Sequence, residues 1–351
     1  MFDGVPSRLS GASAKRALII SRKTEILKGA RGAGKEGMDM AKVLIIKLGY
    51  SETIDPEISR TSSLGDVLRT TVILYPFKND EVTWLVDQAA YPLLEGNPFI
   101  KRILIFDLAS VLQLQKERFD TVINLEKVPG VCALADSVMA WRRYGFRFDE
   151  VKGEAEAYDR CEYIFSMCKD AELKKSHKGS WQQMLLEVVG AKWEGQEYVL
   201  GYKPKTVETH DVGLNWAVGS KWPNKAWPKE NWEQLKELMH GRYTYAMQQG
   251  LDSLHKYMDW VNSCSVLVTN DSLGLHIALA LRKKVVVLYG PTNPNETYFY
   301  DRGELLYPSV EYDCMPCLGP KCTKERMCME FIRPEDVMAR IEKLLPRGAG
   351  A

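Results

Sequence analysis

The 351-residue sequence contains no apolar run of the ~18 residues that a membrane-spanning helix would need. It also has no excess of charge of either sign, because 47 Lys and Arg stand against 46 Asp and Glu and leave a net charge of +1. This balance excludes a general attraction to nucleic acid or to anionic membranes, while leaving room for a local basic patch. The composition, 45% hydrophobic and 26% charged, is typical of a soluble globular protein.

The first 40 residues have little apolar sequence, and their longest apolar run is the short segment ALII. They carry eight Lys and Arg against four Asp and Glu, and no small-residue cleavage site follows the apolar run. We therefore expect residues 1–40 to form a basic, disordered extension rather than a secretory signal. In the absence of a signal, the predicted compartment is the cytoplasm.

The same extension contains a phosphate-loop pattern that lacks one essential residue. GARGAGKE (Gly29 to Glu36) has the G-x-x-x-x-G-K spacing of a nucleotide-binding P-loop. Glu36 stands where that motif needs a serine or threonine to hold magnesium, and a strand rather than a helix is predicted soon afterwards. The sequence therefore argues against a nucleotide site in this segment.

From residue 42 onward, short apolar runs alternate with helical stretches, as in parallel sheets with right-handed crossovers. The length also predicts two domains of roughly 150 residues each. We predict an N-terminal Rossmann-like domain at 41–205 and a C-terminal one at 206–351, with ligands at the strand ends in the cleft between them. The predicted strands are 42–49, 81–87, 100–107 and 119–126, then 212–219, 243–249, 265–271 and 284–292.

The loop after the first strand of the second domain carries groups suited to phosphate. Lys225 lies just ahead of a helix, in a loop that contains Gly219 and Ser220. A cation beside a helix N-terminus could hold two phosphates of a nucleotide. A solvated lysine that is flanked by the packed side chains of Trp222 and Trp227 explains the same pattern, so both interpretations stay open at this point.

Two further strand ends in this domain carry polar groups. Asp271 ends a predicted strand, Ser272 is a predicted helix cap, and His276 lies one turn into the helix. Gly290 and Thr292 follow the next strand and offer an N–H group and a hydroxyl. A helix cap, a core histidine and an ordinary turn are the respective alternatives. Three such loops at successive strand ends favour a binding site.

Four of the eight cysteines cluster near the end of the sequence. Cys314, Cys317, Cys322 and Cys328 follow a C-x₂-C-x₄-C-x₅-C pattern. Four thiolates this close can bind zinc or iron tetrahedrally, and the absence of histidine from the cluster favours a structural over a catalytic metal. A chance cluster of reduced cysteines is the alternative.

The stretch TSSLGDVLRTT (61–71) places an acid where an anion site would otherwise form. Ser62, Ser63 and Gly65 precede an apolar helical run and resemble a cradle of backbone N–H groups, but Asp66 in the same turn would repel a phosphate. Asp66 is either a cap or first-turn acid that stabilises the helix, or a general base that faces the other domain.

Taken in order, these motifs resemble the family 9 glycosyltransferases, the ADP-heptose:lipopolysaccharide heptosyltransferases. The resemblance spans residues 42–345 and rests on KVLIIKLG…SSLGDVLRTT, VTWLVDQAAYPLLEGNPFI, KAWPKENW, NDSLGLHIALAL and YGPTNP. It implies the GT-B fold, an α/β architecture of two Rossmann-like, doubly wound domains that face each other across a cleft. It also implies an inverting, metal-independent transfer from a nucleotide sugar on the C-terminal domain to an acceptor on the N-terminal domain.

The resemblance further implies roles for individual residues. Asp66 would deprotonate the acceptor hydroxyl, and Lys225 would stabilise the leaving diphosphate. The turn that contains Ser62, Ser63 and Gly65 would lie on the acceptor side. The predicted donor-binding residues are Gly219, Ser220, Lys225, Gln249, Asp271, Ser272, Gly274, His276, Gly290 and Thr292.

Three features depart from the family pattern. About twelve extra residues, GYSETIDPEISR (49–60), separate the first strand from the Asp66 turn and are expected to reshape the acceptor pocket. Gly274 stands one position later than the usual glycine of the donor motif. Gln248 or Gln249 stands where family members carry an acid near the donor ribose. These last two differences leave the identity of the donor open.

We therefore predict a glycosyltransferase that moves a heptose or similar sugar from an ADP-sugar to a lipopolysaccharide-core or related glycan acceptor. No cofactor is expected for catalysis, apart from a structural zinc or iron at the cysteines. A membrane-bound acceptor implies peripheral association with the inner face of the cytoplasmic membrane, and nucleic acid is not an expected partner. The alternatives are a transferase with another nucleotide sugar or a protein acceptor, and a nucleotide-sugar-binding protein without turnover.

Overall fold

The computed structural model describes residues 40–50, 61–250 and 252–346. The predicted N-terminal extension, with its P-loop pattern, and most of the predicted 49–60 insertion lie outside these residues. None of the helices in the described part of the chain is long and apolar enough to span a bilayer.

The first half of the described chain forms a six-stranded sheet. Its strands are β1 (Lys42–Ile46), β2 (Glu81–Val86), β3 (Arg102–Ile105), β4 (Arg118–Asn124), β5 (Met139–Asp149) and β6 (Glu154–Ala157). They lie in the order β3-β2-β1-β4-β5-β6, with β6 antiparallel to β5 and all other pairs parallel. The central strand β1 reads KVLII, and four of its five residues are buried, as its uniformly apolar sequence predicts.

Helices connect the strands of this sheet and continue beyond it. They are α1 (Leu64–Thr70), α2 (Tyr91–Leu94), α3 (Leu108–Leu114), α4 (Pro129–Ser137), α5 (Glu162–Met167), α6 (Ala171–Ser176) and α7 (Trp181–Val188). A 3₁₀ helix at Thr71–Phe77 continues α1, so the long helix expected from DVLRTTVILYPF changes type halfway. Pro76 lies within that segment and cannot donate a backbone hydrogen bond.

The second half forms a five-stranded parallel sheet. Its strands are β7 (His210–Asn215), β8 (Tyr245–Met247), β9 (Cys264–Asn270), β10 (Lys284–Leu288) and β11 (Gly303–Leu306), in the order β11-β10-β9-β7-β8. The associated helices are α8 (Lys229–Met239), α9 (Leu254–Asn262), α10 (Leu273–Ala280) and α11 (Pro334–Leu344). The two sheets with their crossover helices confirm the predicted pair of Rossmann-like halves.

The two halves share an apolar core. The largest cluster of buried side chains includes Ile45 and Trp84 of the first sheet together with Leu267 and Val287 of the second. Helices α1 and α10 bring the halves into contact, because Gly65 of α1 lies against the imidazole of His276 in α10. The carboxyl ends of β1 and β9, which precede these helices, therefore open into one cleft.

Candidate active site

A cavity of about 360 Å³ lies in this cleft and is lined by residues of both halves. Parallel strands place their carboxyl ends, and the loops that follow them, at one edge of each sheet. Here that edge of the first sheet faces that of the second. The lining includes Ser62, Ser63, Gly65, Asp66, Gly219, Lys225, Asp271, Ser272, His276 and Thr292, all predicted from the sequence as site residues.

Asp66 reaches the cavity from the first turn of α1. The N-cap position of this helix is Ser63, so Asp66 is a first-turn acid and not the cap. Its carboxylate lies 3.1 Å from the guanidinium of Arg69, one turn further along the helix. The Asp66 side chain is 15% exposed, which leaves it accessible to a molecule in the cavity. An ionised carboxylate in this position can accept a proton.

Lys225 lies on the opposite side of the cavity, at the end of a short 3₁₀ turn (Pro223–Lys225). Its ammonium donates to Asp271 Oδ2 at 2.7 Å and to the Asp271 carbonyl at 2.9 Å. Thr292 donates to the same carboxylate oxygen at 2.7 Å. Three strand-end loops of the second sheet thus converge on one carboxylate.

These contacts decide the charge of Asp271. Burial raises the pKa of this carboxyl, but the charge of Lys225 and the hydrogen bonds from Lys225 and Thr292 hold it well below its usual value. Asp271 is therefore ionised at neutral pH. Its negative charge keeps the Lys225 ammonium on the wall of the cavity, where it can meet an anion.

His276 lies deeper, between the two halves. Burial and the charge of Arg69 lower the pKa of His276 to about 4, so its imidazole is neutral at neutral pH. Its Nδ1 lies 3.4 Å from the Tyr198 hydroxyl. A Cβ atom at position 65 would lie 2.5 Å from His276 Cδ2, so the close approach of α1 to α10 requires a glycine there.

The cavity also contains charged residues that the sequence interpretation missed. Arg69, Lys174, Lys221 and Glu296 all line it. The Glu296 carboxylate accepts from Trp181 Nε1 at 2.7 Å and lies 3.7 Å from the Lys174 ammonium. Arg69 could have been found from its helical spacing to Asp66, because residues three apart share one helix face. No local pattern marks the other three.

Four predicted donor-binding residues do not line the cavity. Gln248, not Gln249, faces it, and Gln249 is exposed. Ser220 is exposed in the loop beside Gly219. Gly274 packs against Asn215 and Tyr257, and Gly290 packs against Met329 and Cys328, so both glycines permit close packing behind the cavity wall.

Ser272 occupies an N-cap position, but its hydroxyl interacts with Asn215 at 3.2 Å and does not cap the helix.

The four clustered cysteines do not line the cavity of the cleft. Cys314, Cys317, Cys322 and Cys328 line one small cavity of about 20 Å³. Burial, together with the other three cysteines, raises the pKa of Cys328 to about 11. As the side chains stand, no group of three or more His, Cys, Asp or Glu within 40–50, 61–250 and 252–346 is arranged to hold a metal ion. The predicted metal site is therefore not shown.

Comparison with known proteins supports the family resemblance. Residues 250–328 match the model for glycosyltransferase family 9 (heptosyltransferase). Lipooligosaccharide heptosyltransferase 2 of Campylobacter jejuni is 33% identical over 82 residues, 23% of this chain, and the match spans only about a quarter (26%) of that relative. Lipopolysaccharide heptosyltransferase 1 of Pseudomonas aeruginosa is 22% identical, with 82% of this chain and 96% of the relative aligned.

Solved structures extend the similarity across both halves. A family 9 glycosyltransferase from Veillonella parvula has a TM-score of 0.61 at 18% identity, over 88% of this chain and 98% of that one. The E. coli heptosyltransferase WaaC with ADP-2-deoxy-2-fluoro heptose has a TM-score of 0.57 at 16% identity, over 86% and 99%. These similarities confirm the predicted GT-B fold. The family match over residues 250–328 and the near-full-length heptosyltransferase relative confirm the predicted resemblance to glycosyltransferase family 9.

Proposed function

We propose that this protein transfers a heptose or a similar sugar from an ADP-sugar to a lipopolysaccharide-core or related glycan acceptor, with inversion at the sugar carbon. The observation that carries the proposal is one cavity with a carboxylate, Asp66, on the wall formed by the first half and a lysine, Lys225, on the wall formed by the second. The names of the relatives, and the ADP-sugar analogue bound by the WaaC structure, support the choice of donor and acceptor.

The proposed reaction is a single displacement. Asp66 removes the proton from the acceptor hydroxyl as the acceptor oxygen forms a bond to the anomeric carbon, and the bond from that carbon to the diphosphate oxygen breaks. ADP leaves with the negative charge, which the Lys225 ammonium stabilises. Attack from the face opposite to the leaving group inverts the anomeric configuration. Lys221, Arg69 and Lys174 add positive charge around the cavity, which supports catalysis without a metal cofactor.

The test combines purified protein, an ADP-heptose and a heptose-acceptor core oligosaccharide, with and without EDTA. We expect ADP release that depends on acceptor, persists in EDTA, and yields a product whose anomeric configuration is opposite to that of the donor by NMR. Turnover only with another nucleotide sugar or a protein acceptor would favour the alternative transferase. ADP binding without turnover on any acceptor would favour a nucleotide-sugar-binding protein and contradict the proposal.

We also propose that the four clustered cysteines bind a structural iron or zinc ion once their side chains turn toward the small cavity that they share. A structural neighbour, TibC of enterotoxigenic E. coli, is described as an iron-containing glycosyltransferase, with a TM-score of 0.54 at 15% identity over 90% of this chain and 80% of that one. Thiolate ligands suit either metal.

The metal proposal predicts about one iron or zinc ion per chain by elemental analysis of protein purified without added metal. Cys317→Ser should lose most of that metal and lower the melting temperature. Cys264→Ser is the matched control, because Cys264 is a buried cysteine in β9, remote from the cluster in sequence, and should keep the metal. Protein free of both metals, or equal metal content in the two variants, would contradict the proposal.

We further propose peripheral association with an anionic membrane surface through α3 and the start of β5. Leu108, Leu112, Met139 and Trp141 are large apolar side chains exposed there, with Trp141 74% exposed, and the neighbouring Arg142 is also exposed. A hydrogen bond of 3.3 Å from Gln115 Nε2, directly after α3, to Ser137 Oγ, at the end of α4 and two residues before β5, brings the two segments side by side. Apolar side chains beside a cation suit the boundary between head groups and acyl chains.

The membrane proposal predicts that a Trp141→Ser variant binds vesicles with anionic phospholipid several-fold more weakly than the unchanged protein in a sedimentation assay. Val207→Ser is the control, because Val207 is equally exposed, at 74%, but lies outside this surface. Equal sedimentation of all three proteins with the vesicles would rule this surface out.

A further inference from the structure

Lys221 joins the two walls of the cavity. It lies in the loop after β7, on the side of the second sheet, yet its ammonium donates to Ser63 Oγ at 2.6 Å and to the Thr61 carbonyl at 2.9 Å. Both acceptors belong to the turn that leads into α1, the helix of Asp66. Lys221 also lines the cavity beside Gly219 and Lys225. One side chain therefore connects the loop of the proposed diphosphate lysine to the turn of the proposed base.

The Ser63 hydroxyl is used in an uncommon way. Ser63 occupies the N-cap position of α1 with extended backbone angles, φ −94° and ψ 94°, from which a serine hydroxyl usually accepts from the second or third N–H of the helix. Here it makes no capping hydrogen bond and accepts from Lys221 instead. The start of α1 is thus stabilised by the opposite half of the molecule.

The same turn has its own attachments to the first sheet. The Ser63 N–H donates to the Gly49 carbonyl at 2.7 Å, and Ser62 Oγ donates to the Leu48 carbonyl at 2.9 Å. The buried carboxylate of Glu126 in turn accepts from the N–H groups of Leu48 and Gly49, both at 2.7 Å. The turn is therefore hydrogen-bonded to the residues that follow β1 in its own half and to Lys221 in the other half.

Charge also links Lys221 to the base. Burial lowers the pKa of Lys221, and the nearby carboxylate of Asp66 opposes this effect. Lys221 thus acts on Asp66 through the position of its turn and through its charge.

We propose that Lys221 is a positioning residue that couples donor binding on the 217–225 loop to the placement of Asp66. The inference rests on the proposed function. A diphosphate bound at Lys225 fixes the loop that carries Lys221, and Lys221 then fixes the turn at Ser63 and, one helical turn later, the Asp66 carboxylate. Small displacements of a reacting group are costly in rate, so this coupling acts on the chemical step.

The kinetic test compares Lys221→Met, Lys221→Arg and the control Lys229→Met, in which an exposed lysine of α8 is changed. Lys221→Met should lower kcat at least about tenfold, with the KM for the donor and the Kd for ADP changed less than about threefold. Lys221→Arg should restore part of kcat, because it keeps the charge and the donors, and Lys229→Met should match the unchanged protein. A loss confined to KM would instead assign Lys221 to donor binding.

A double-mutant cycle separates coupling from a general loss of structure. Ser63→Ala removes the hydroxyl acceptor, so Ser63→Ala combined with Lys221→Met should cost little more in kcat than Lys221→Met alone. Fully additive losses would overturn the proposed link.

A readout without turnover keeps this inference distinct from the proposed function. Hydrogen exchange of residues 64–70 is measured with and without ADP in the full-length chain. ADP should slow exchange in the unchanged protein and in Lys229→Met, but not in Lys221→Met. If the protein shows this exchange pattern but has no transferase activity, the proposed coupling is supported and the proposed function is rejected. Equal slowing in the unchanged protein and Lys221→Met would reject the coupling, whatever the activity.

Discussion

Replacing Asp66 with asparagine should lower kcat for sugar transfer about a thousandfold. Asparagine has nearly the same shape and keeps a polar group in the first turn of α1, but it cannot accept the proton of the acceptor hydroxyl. The measurement is kcat with both substrates saturating, alongside ADP affinity by calorimetry. The affinity for ADP should change little, because the proposed diphosphate site lies on the opposite wall of the cavity, around Lys225.

A matched control for this experiment is Glu162→Gln, which neutralises the first-turn acid of α5 at a position outside the cavity. It should leave kcat unchanged. If Asp66→Asn also retained the original kcat, Asp66 would not be the base. Glu296, another carboxylate on the cavity wall, would then be the next residue to test.

The second large effect is expected for Lys225→Met, which should lower kcat/KM by about a hundredfold or more. Methionine has a similar length but no charge, so the leaving diphosphate loses its ammonium. The same change leaves the Asp271 carboxylate, 17% exposed, without its cation. Breaking a largely buried pair from one side is costly, so the free energy of unfolding should fall by about 2 kcal/mol.

The loss of activity and the loss of stability can be separated by the double variant Lys225→Met, Asp271→Asn. Neutralising Asp271 removes the unpaired charge, so unfolding by urea should show stability largely restored. The activity should stay low, since the ammonium is still absent. Recovery of activity together with stability would mean that Lys225 serves only to neutralise Asp271.

Much of the fold follows from local sequence. Strands such as β1 and β9 are continuous apolar runs buried on both faces, and such runs are typical of parallel sheets. Strands β5 and β6 were missed because they carry exposed polar residues, as in WRRYGFRFD of β5, and because β6 is a short strand at the sheet edge. The short β11, GELL, offers too few residues for a pattern.

The site residues likewise divide into those that local sequence predicts and those that it does not. Asp66, Lys225, Asp271 and Thr292 lie in the segments that follow β1, β7, β9 and β10. Because the carboxyl ends of parallel strands meet at one edge of a sheet, the order of elements brings these residues to one cleft. Lys174 reaches that cleft from α6, which follows no predicted strand end, and Glu296 reaches it from a 3₁₀ turn (Pro294–Glu296) that looks like an ordinary turn in sequence. Lys221 and Ser63 are 158 positions apart, and their hydrogen bond depends on how the two halves pack, which no local pattern encodes.

The apolar core that runs from one sheet to the other also determines how the protein unfolds. Because Ile45, Val67, Leu267 and Leu275 belong to one buried cluster, opening either half would expose apolar surface of the other, at about 25 cal/mol for each Å². We therefore expect heat to melt the two halves together in a single cooperative step, which calorimetry would measure. The two lobes of this GT-B fold are then expected to behave thermodynamically as one domain.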